Sequence, residues 1–273
     1  MNRSGRFSGT IGTVYAHWPL YALAYGGLIA ALILIGVGAR QGWLSLIPLG
    51  VALLLVQSYF LFASLWAAHQ LYDINGIRPH HVLFDMGAIQ DTETFVFIDL
   101  GTRRPAIELS RRLTTGRAII VDVYNPQWTT SRALARRRAQ RPPPPPDPRL
   151  TWRDGDVNLI PLPDHSVPAV ILSQVLSEFW QHGDRLALLS EIYRILAPGG
   201  RLLLAERVRT QTNWLVTGPA ALGLPTAGYW QNLLRQAGFR LQKERDLLGL
   251  IHCIRASKPT PAEARQLAFE LDY

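Results

Sequence analysis

Two aspartates carry the first chemistry this sequence offers. Asp99 ends the apolar run Phe95–Ile98, Gly101 follows it, and Pro105 opens a helix-like stretch, AIELSRRL. A strand that runs through an acid and a turn glycine into a helix N-terminus gathers a carboxylate and free backbone N–H groups at one point. An anion at that point repels a pyrophosphate, so the ligand it suits carries an amine or a hydroxyl. The second acid, Asp122, closes a second apolar strand, Ala118–Val121. A right-handed crossover sets two such strands side by side, and an acid at the end of the second grips ribose hydroxyls. Candidate proton-transfer groups are His80, His81, His165, Ser173, Gln174 and Glu178. His80 and His81 are adjacent, so they point apart on a helix and to opposite faces on a strand. Neither arrangement lets them share a metal ion, and no metal site is expected.

Positioning the two acids takes a parallel sheet with crossover helices. Phe95–Ile98 reads as a buried parallel strand because its residues are apolar without alternation. Helix and strand signals alternate beyond it. Gly155–Leu176 leads into a helix over Asp184–Leu196, LAPGG stops that helix before an apolar strand, and Gly238 ends a helix over LLRQAGF. Two last strands are expected near Leu241–Asp246 and Leu248–Ala256. Residues 131–149 break the pattern with an arginine cluster and the proline run Pro142–Pro146. They read as an insertion within one domain, with a polyproline II spacer and an arginine group suited to anionic lipid headgroups.

The order GDVNLIPLPDHS, LAPGG and QAGF, together with the interval between Asp99 and Asp122, resembles the class I S-adenosylmethionine-dependent methyltransferases, in particular quinone and small-molecule methyltransferases. The resemblance covers roughly residues 95–258. It implies an α/β fold, a seven-stranded, mostly parallel Rossmann-like sheet with helices on both faces and an antiparallel last strand. It implies S-adenosylmethionine as cofactor. Asp99 with Gly101 would face its methionine end, Asp122 its ribose, and Asp156 with Val157 its adenine, with Ser173 completing the cofactor-binding set. No catalytic residue is singled out. Two features depart from the family's acid-x-Gly-x-Gly-x-Gly loop, because Arg103 and Pro105 replace its last two glycines. Arg103 must turn away or take up cofactor space. Pro168 stands where the family commonly has an acid.

The positive mean hydropathy has a local source. Trp18–Ala39 and Gln41–Ala68 hold no charged residue, and at about 1.5 Å per residue the first reaches roughly 33 Å, the thickness of a bilayer core. Residues 1–70 thus read as a transmembrane helical hairpin, with spans at about 18–39 and 43–68 turning at Arg40 and Gly42. Residues 71–94 form a connector, where Val82, Phe84 and Met86 suggest an extended piece, 95–258 the methyltransferase-like domain, and 259–273 a short C-terminal helix. Arg3, Arg6 and the arginines beyond Arg78 outnumber Arg40 in the turn, which places both termini and the large domain on the cytoplasmic side of the inner membrane. A single cysteine, Cys253, excludes a disulfide framework. Net charge is +8, yet no nucleic-acid module is present and nucleic acid is not an expected partner. The expected partners are the lipid bilayer and a lipid-soluble small-molecule acceptor. The alternative is a non-catalytic subunit docked to other membrane subunits. Asn213–Pro225, uncharged and bearing Trp214, either packs on the domain or dips into the bilayer interface.

Overall fold

Phe95–Asp99 (β1) is buried along its whole length, and the sheet is laid around it. A computed structural model describes residues 7–73, 75–129 and 131–263. Parallel partners flank β1 on both sides, Ala118–Asp122 (β2) and Val167–Ser173 (β4), with Leu150–Asp154 (β3) beyond β2. Leu196–Arg207 (β5) continues the parallel set next to β4. Arg240–Leu247 (β6) and Ile251–Ser257 (β7) complete a seven-stranded sheet of order β3-β2-β1-β4-β5-β7-β6, with β7 antiparallel to both neighbours. The chain moves outward through β2 and β3, then returns to the other side of β1 for β4. The carboxyl ends of β1 and β4 therefore bound the crevice where an open α/β sheet binds ligands.

Helices cover both faces, which is why the central strands are continuously apolar. They are Pro79–Met86 (α4), Arg104–Ser110 (α5), Arg132–Ala139 (α6), His182–Ile195 (α7) and Ala227–Gln236 (α9). One core cluster joins Val96 and Ile98 of β1 to Leu188, Leu189 and Ile192 of α7 and to Trp230 of α9. Gly238, at φ +87, lets the chain leave α9 in the left-handed conformation. Two local expectations need correction. Val82, Phe84 and Met86 lie in helix α4, because Pro79 opens that helix and Leu83, Phe84 and Met86 are buried together. The insertion is also not all loop, since Ser131 accepts from Leu134 N–H and caps α6.

A second unit gathers Met1–Arg78 with Thr210–Gly223. Trp18–Gln41 (α2) and Leu46–Tyr72 (α3) are each long and apolar enough to cross a membrane. Gly42, at φ +73, caps α2. Small residues let the pair approach closely: a Cβ on Gly27 would meet the Gln57 amide, and one on Gly50 would come within 3.2 Å of the Ala31 carbonyl. An unanticipated helix, Ser8–Ala16 (α1), precedes them, its first N–H groups taken by the buried Asp73 carboxylate from Gly9 and Thr10. The uncharged segment after β5, Gln211–Thr217 (α8) with a two-turn 3₁₀ helix at Gly218–Gly223, belongs to this unit, where Gly218 packs on Phe60. Residues 261–263 are helical; the rest of the expected C-terminal helix, with Arg3 and Arg6, lies outside the described residues.

Candidate functional site

Register places the two acids together. Asp99 and Asp122 are paired residues at the carboxyl ends of β1 and β2. Asp99 is buried and accepts from the Thr102 hydroxyl at 2.7 Å and from the Arg103 N–H at 2.7 Å. Burial holds its carboxyl above the usual carboxylate range against those two hydrogen bonds. Gly101 adopts φ +74, and a Cβ there would overlap the Arg138 guanidinium and come within 2.6 Å of Asp122 Oδ2. Arg103 itself takes φ +62 just ahead of α5, with Pro105 in the first turn of that helix.

The arginine that enters this space is Arg138, not Arg103. Arg103 turns away, donating to the Pro142 carbonyl at 3.3 Å and lying 5.5 Å from the centre of the Trp152 ring. Arg138 reaches back from α6 and donates through Nη1 to the Leu100 carbonyl at 2.7 Å and to both Asp122 oxygens at 2.8 and 2.7 Å. Its guanidinium stacks 4.0 Å from the centre of the Tyr124 ring. A charge-assisted contact of this kind is among the stronger hydrogen bonds. The carboxylate expected to grip a ribose is thus already engaged. The signal for it lay in α6: Leu134 and Arg138 are spaced i, i+4, so the arginine shares the face that Leu134 buries.

The other expected residues divide. Gly155 N–H donates to the Asp122 carbonyl at 2.9 Å, which ties the loop of Asp156 and Val157 to the end of β2. Val157 is buried in the core, while Asp156 accepts from Asn158 N–H within its own turn. Ser173 ends β4 beside Ala205, and Gln174 follows at φ +56. Glu178 lies in the turn after β4, where burial raises its carboxyl above the usual range. His165 is at the opposite edge, before β4, with its ring nitrogen 2.8 Å from Lys258 Nζ. His80 and His81 come together after all, because Glu108 of α5 supplies the third group: its Oε2 is 3.1 Å from His80 Nε2 and 3.9 Å from His81 Nε2. Arg104 Nε stands 3.6 Å from the other Glu108 oxygen, so a cation already balances that carboxylate. Sequence reasoning missed Glu206. It is fully buried on β5 and accepts from Val175 and Leu176 N–H at 2.9 and 2.7 Å, which fixes the turn after β4.

Comparison with known proteins bears on the fold of the α/β unit. Residues 100–204 match the methyltransferase domain family. The probable S-adenosylmethionine-dependent methyltransferase of Mycolicibacterium smegmatis is 32% identical over 108 residues, 38% of this chain and 40% of that protein. The ubiquinone/menaquinone biosynthesis C-methyltransferase UbiE of Dinoroseobacter shibae is 30% identical over 106 residues, 39% of each. The chain thus spans about two fifths of the length of these relatives. A SAM-dependent methyltransferase from Aquifex aeolicus shares the fold at a TM-score of 0.51 and 18% identity, covering 66% of this chain and 89% of that one. The [4+2]-cyclase SpnF does so at 0.52 and 18%, covering 70% and 83%. The α/β unit therefore has the fold of S-adenosylmethionine-dependent methyltransferases.

Proposed function

We propose that this chain, built on a class I methyltransferase unit that takes S-adenosylmethionine, is a membrane-anchored methyltransferase whose acceptor is lipid-soluble. The observation that carries the reading is the union, in one chain, of the acid pair at the sheet's switch point with two apolar helices whose side chains point outward, Leu23 73% and Phe62 74% exposed. α2 and α3 are the two spans, with the α/β unit in the cytoplasm at the inner membrane.

The residues fit the cofactor once the Arg138 side chain withdraws. Two carboxylates suit a cation with hydroxyls, and Gly101 leaves room for close approach. When bound, the cofactor supplies an electrophilic methyl group for in-line displacement, where alignment supplies much of the catalysis. The chain's own work is to hold: Asp122 accepts hydroxyls, Asp99 presents the carboxyl that Thr102 and Arg103 fix, and Glu206 locks the turn bearing Ser173 and Gln174. Asp156 and Val157 border the adenine.

Anchoring has a direct test. The full chain should stay with membranes through an alkaline carbonate wash. A chain lacking residues 1–78, with Thr210–Gly223 replaced by a short Gly/Ser linker, should appear in the soluble fraction. Removing 1–78 alone should give aggregate, because Asn213, Val216 and Ala221 are buried within that unit. A full chain released by carbonate would overturn the anchor.

The acceptor reading rests on α8 and the turn after it. Trp214 and Leu215 are each 49% exposed and Leu222 63%, so one side of this apolar segment faces outward while Val216 and Ala221 are buried. It sits in the unit of the two spans, and we assign it to the bilayer interface, where indole rings concentrate. Trp214→Asp should lower turnover of a quinone-type acceptor in nanodiscs several-fold and leave S-adenosylmethionine affinity unchanged. Equal loss of both would return Trp214 to a structural role.

A second reading is favoured by Arg138 and by the missing loop glycines: a non-catalytic subunit that docks to other membrane subunits. Absence of cofactor binding in every variant would select it.

A further inference from the structure

Beside the cofactor seat lies an open cleft of about 620 Å³ lined by Arg103, Tyr124, Arg138, Arg141 and Pro143. Three guanidinium groups face it. Asp122 answers two of them, at 2.7 Å from Arg138 and 3.9 Å from Arg141, and Arg103 reaches a backbone carbonyl. The cleft thus carries an excess of positive charge. It does so next to a seat meant for a sulfonium cofactor, which such charge repels.

We propose that this cleft binds a phosphoryl group, and that the bound phosphoryl group draws Arg138 off Asp122 and opens the cofactor seat. The reading rests on S-adenosylmethionine as the cofactor. A planar guanidinium fork matches phosphate oxygens, and two or three forks on one wall favour a phosphate over a single carboxylate. Arg138 already lines the cleft, so its side chain can swing toward it while α6 stays capped at Ser131. The energetics couple the two ligands. Cofactor hydroxyls and Arg138 compete for the same Asp122 oxygens, and a displaced guanidinium at 20% side-chain exposure needs another acceptor. The phosphoryl group supplies that acceptor and neutralises the repulsion. By linkage each ligand then strengthens the other to the same degree.

The phosphoryl group could belong to an anionic lipid headgroup or to a soluble phosphate ester, and one experiment separates them. S-adenosylmethionine affinity of the full chain is measured by calorimetry in four settings: phosphatidylcholine nanodiscs alone, the same with inorganic phosphate, the same with glycerol phosphate, and phosphatidylglycerol nanodiscs. In neutral nanodiscs the wild type should bind about tenfold more weakly than Arg138→Ala. Phosphatidylglycerol or soluble phosphate should remove that gap for the wild type and leave Arg138→Ala unmoved. A response to phosphatidylglycerol alone assigns the cleft to lipid, and an equal response to soluble phosphate assigns it to a soluble ester. The proposal is overturned if Arg138→Ala binds no tighter than wild type, or if no phosphate source changes wild-type affinity. The ³¹P line width of inorganic phosphate reads the cleft without the cofactor. Broadening by wild type, lost in Arg138→Ala, alongside no cofactor binding in any variant would refute the cofactor reading and the coupling while keeping the cleft. No broadening refutes the cleft itself.

Discussion

In a chain that already lacks the Arg138 guanidinium, Asp122→Ala should weaken S-adenosylmethionine binding about 10- to 100-fold. That is the scale of about 1.5–3 kcal/mol for hydrogen bonds to a charged group. The background matters because Asp122 has two suitors. In the wild type its oxygens are held by Arg138 at 2.7 and 2.8 Å, so a ligand must break that contact before its hydroxyls gain the carboxylate. Removing Asp122 from the wild type removes the competitor's anchor together with the ligand's, and the two effects oppose. The loss in the wild-type background should therefore be the smaller one. A double-mutant cycle over Asp122 and Arg138 isolates the difference, since the residues touch and additivity must fail. Calorimetric titration of the four proteins gives all the terms. An Asp122→Ala change that leaves affinity untouched when Arg138 is already alanine would show that the acid is not the ribose seat.

Glu206→Gln should stabilise the protein on the order of 3 kcal/mol at pH 8 and leave it nearly unchanged near pH 4.5. Burial pushes the Glu206 carboxyl up to about 7 from an ordinary value of 4.5, against the hydrogen bonds it accepts from the turn after β4. The sign follows from proton counting. Between those two values the folded chain keeps a proton that the unfolded chain has released. Stability then falls as pH rises from about 4.5, and the loss is complete above about 7. Glutamine stays neutral throughout and can still accept from Val175 and Leu176 N–H. The measurement is the wild-type-minus-variant difference in unfolding midpoint across pH 4.5 to 8, in one detergent. Other carboxylates shift with pH too, Glu191 being held low by its Arg194 contact, but they cancel in that difference. A difference that stays flat with pH would mean the carboxyl is ionised throughout.

Much of the fold is written locally. Phe95–Ile98 and Ala118–Val121 are apolar on successive residues, which only strands covered on both faces require. Their terminal acids fall at one sheet edge because parallel strands joined by a right-handed crossover leave no other arrangement. The two uncharged runs announce α2 and α3 by length alone, and Gly42, Gly101 and Gly238 stand at positive φ where turns were expected. The two central strands with their acid pair and the apolar helices were therefore determined by residue type and spacing, while the order of the seven strands is read from the structure.

Side-chain reach and long-range partnership were decided only in three dimensions. Period and propensity report which face a residue occupies, not which neighbour it meets across the fold. By sequence Arg138 belongs to an arginine group suited to lipid headgroups, yet α6 lays it over Gly101 and onto Asp122. His80 and His81, read as unable to share a metal ion, meet on Glu108 of α5, which no local pattern announces. Val82, Phe84 and Met86 alternate as a strand would, but burying Leu83 beside them is worth more as a helix. Asn213–Pro225 follows β5 in the chain, while its buried residues and Gly218 pack with α3, because apolar surface goes where matching apolar surface is.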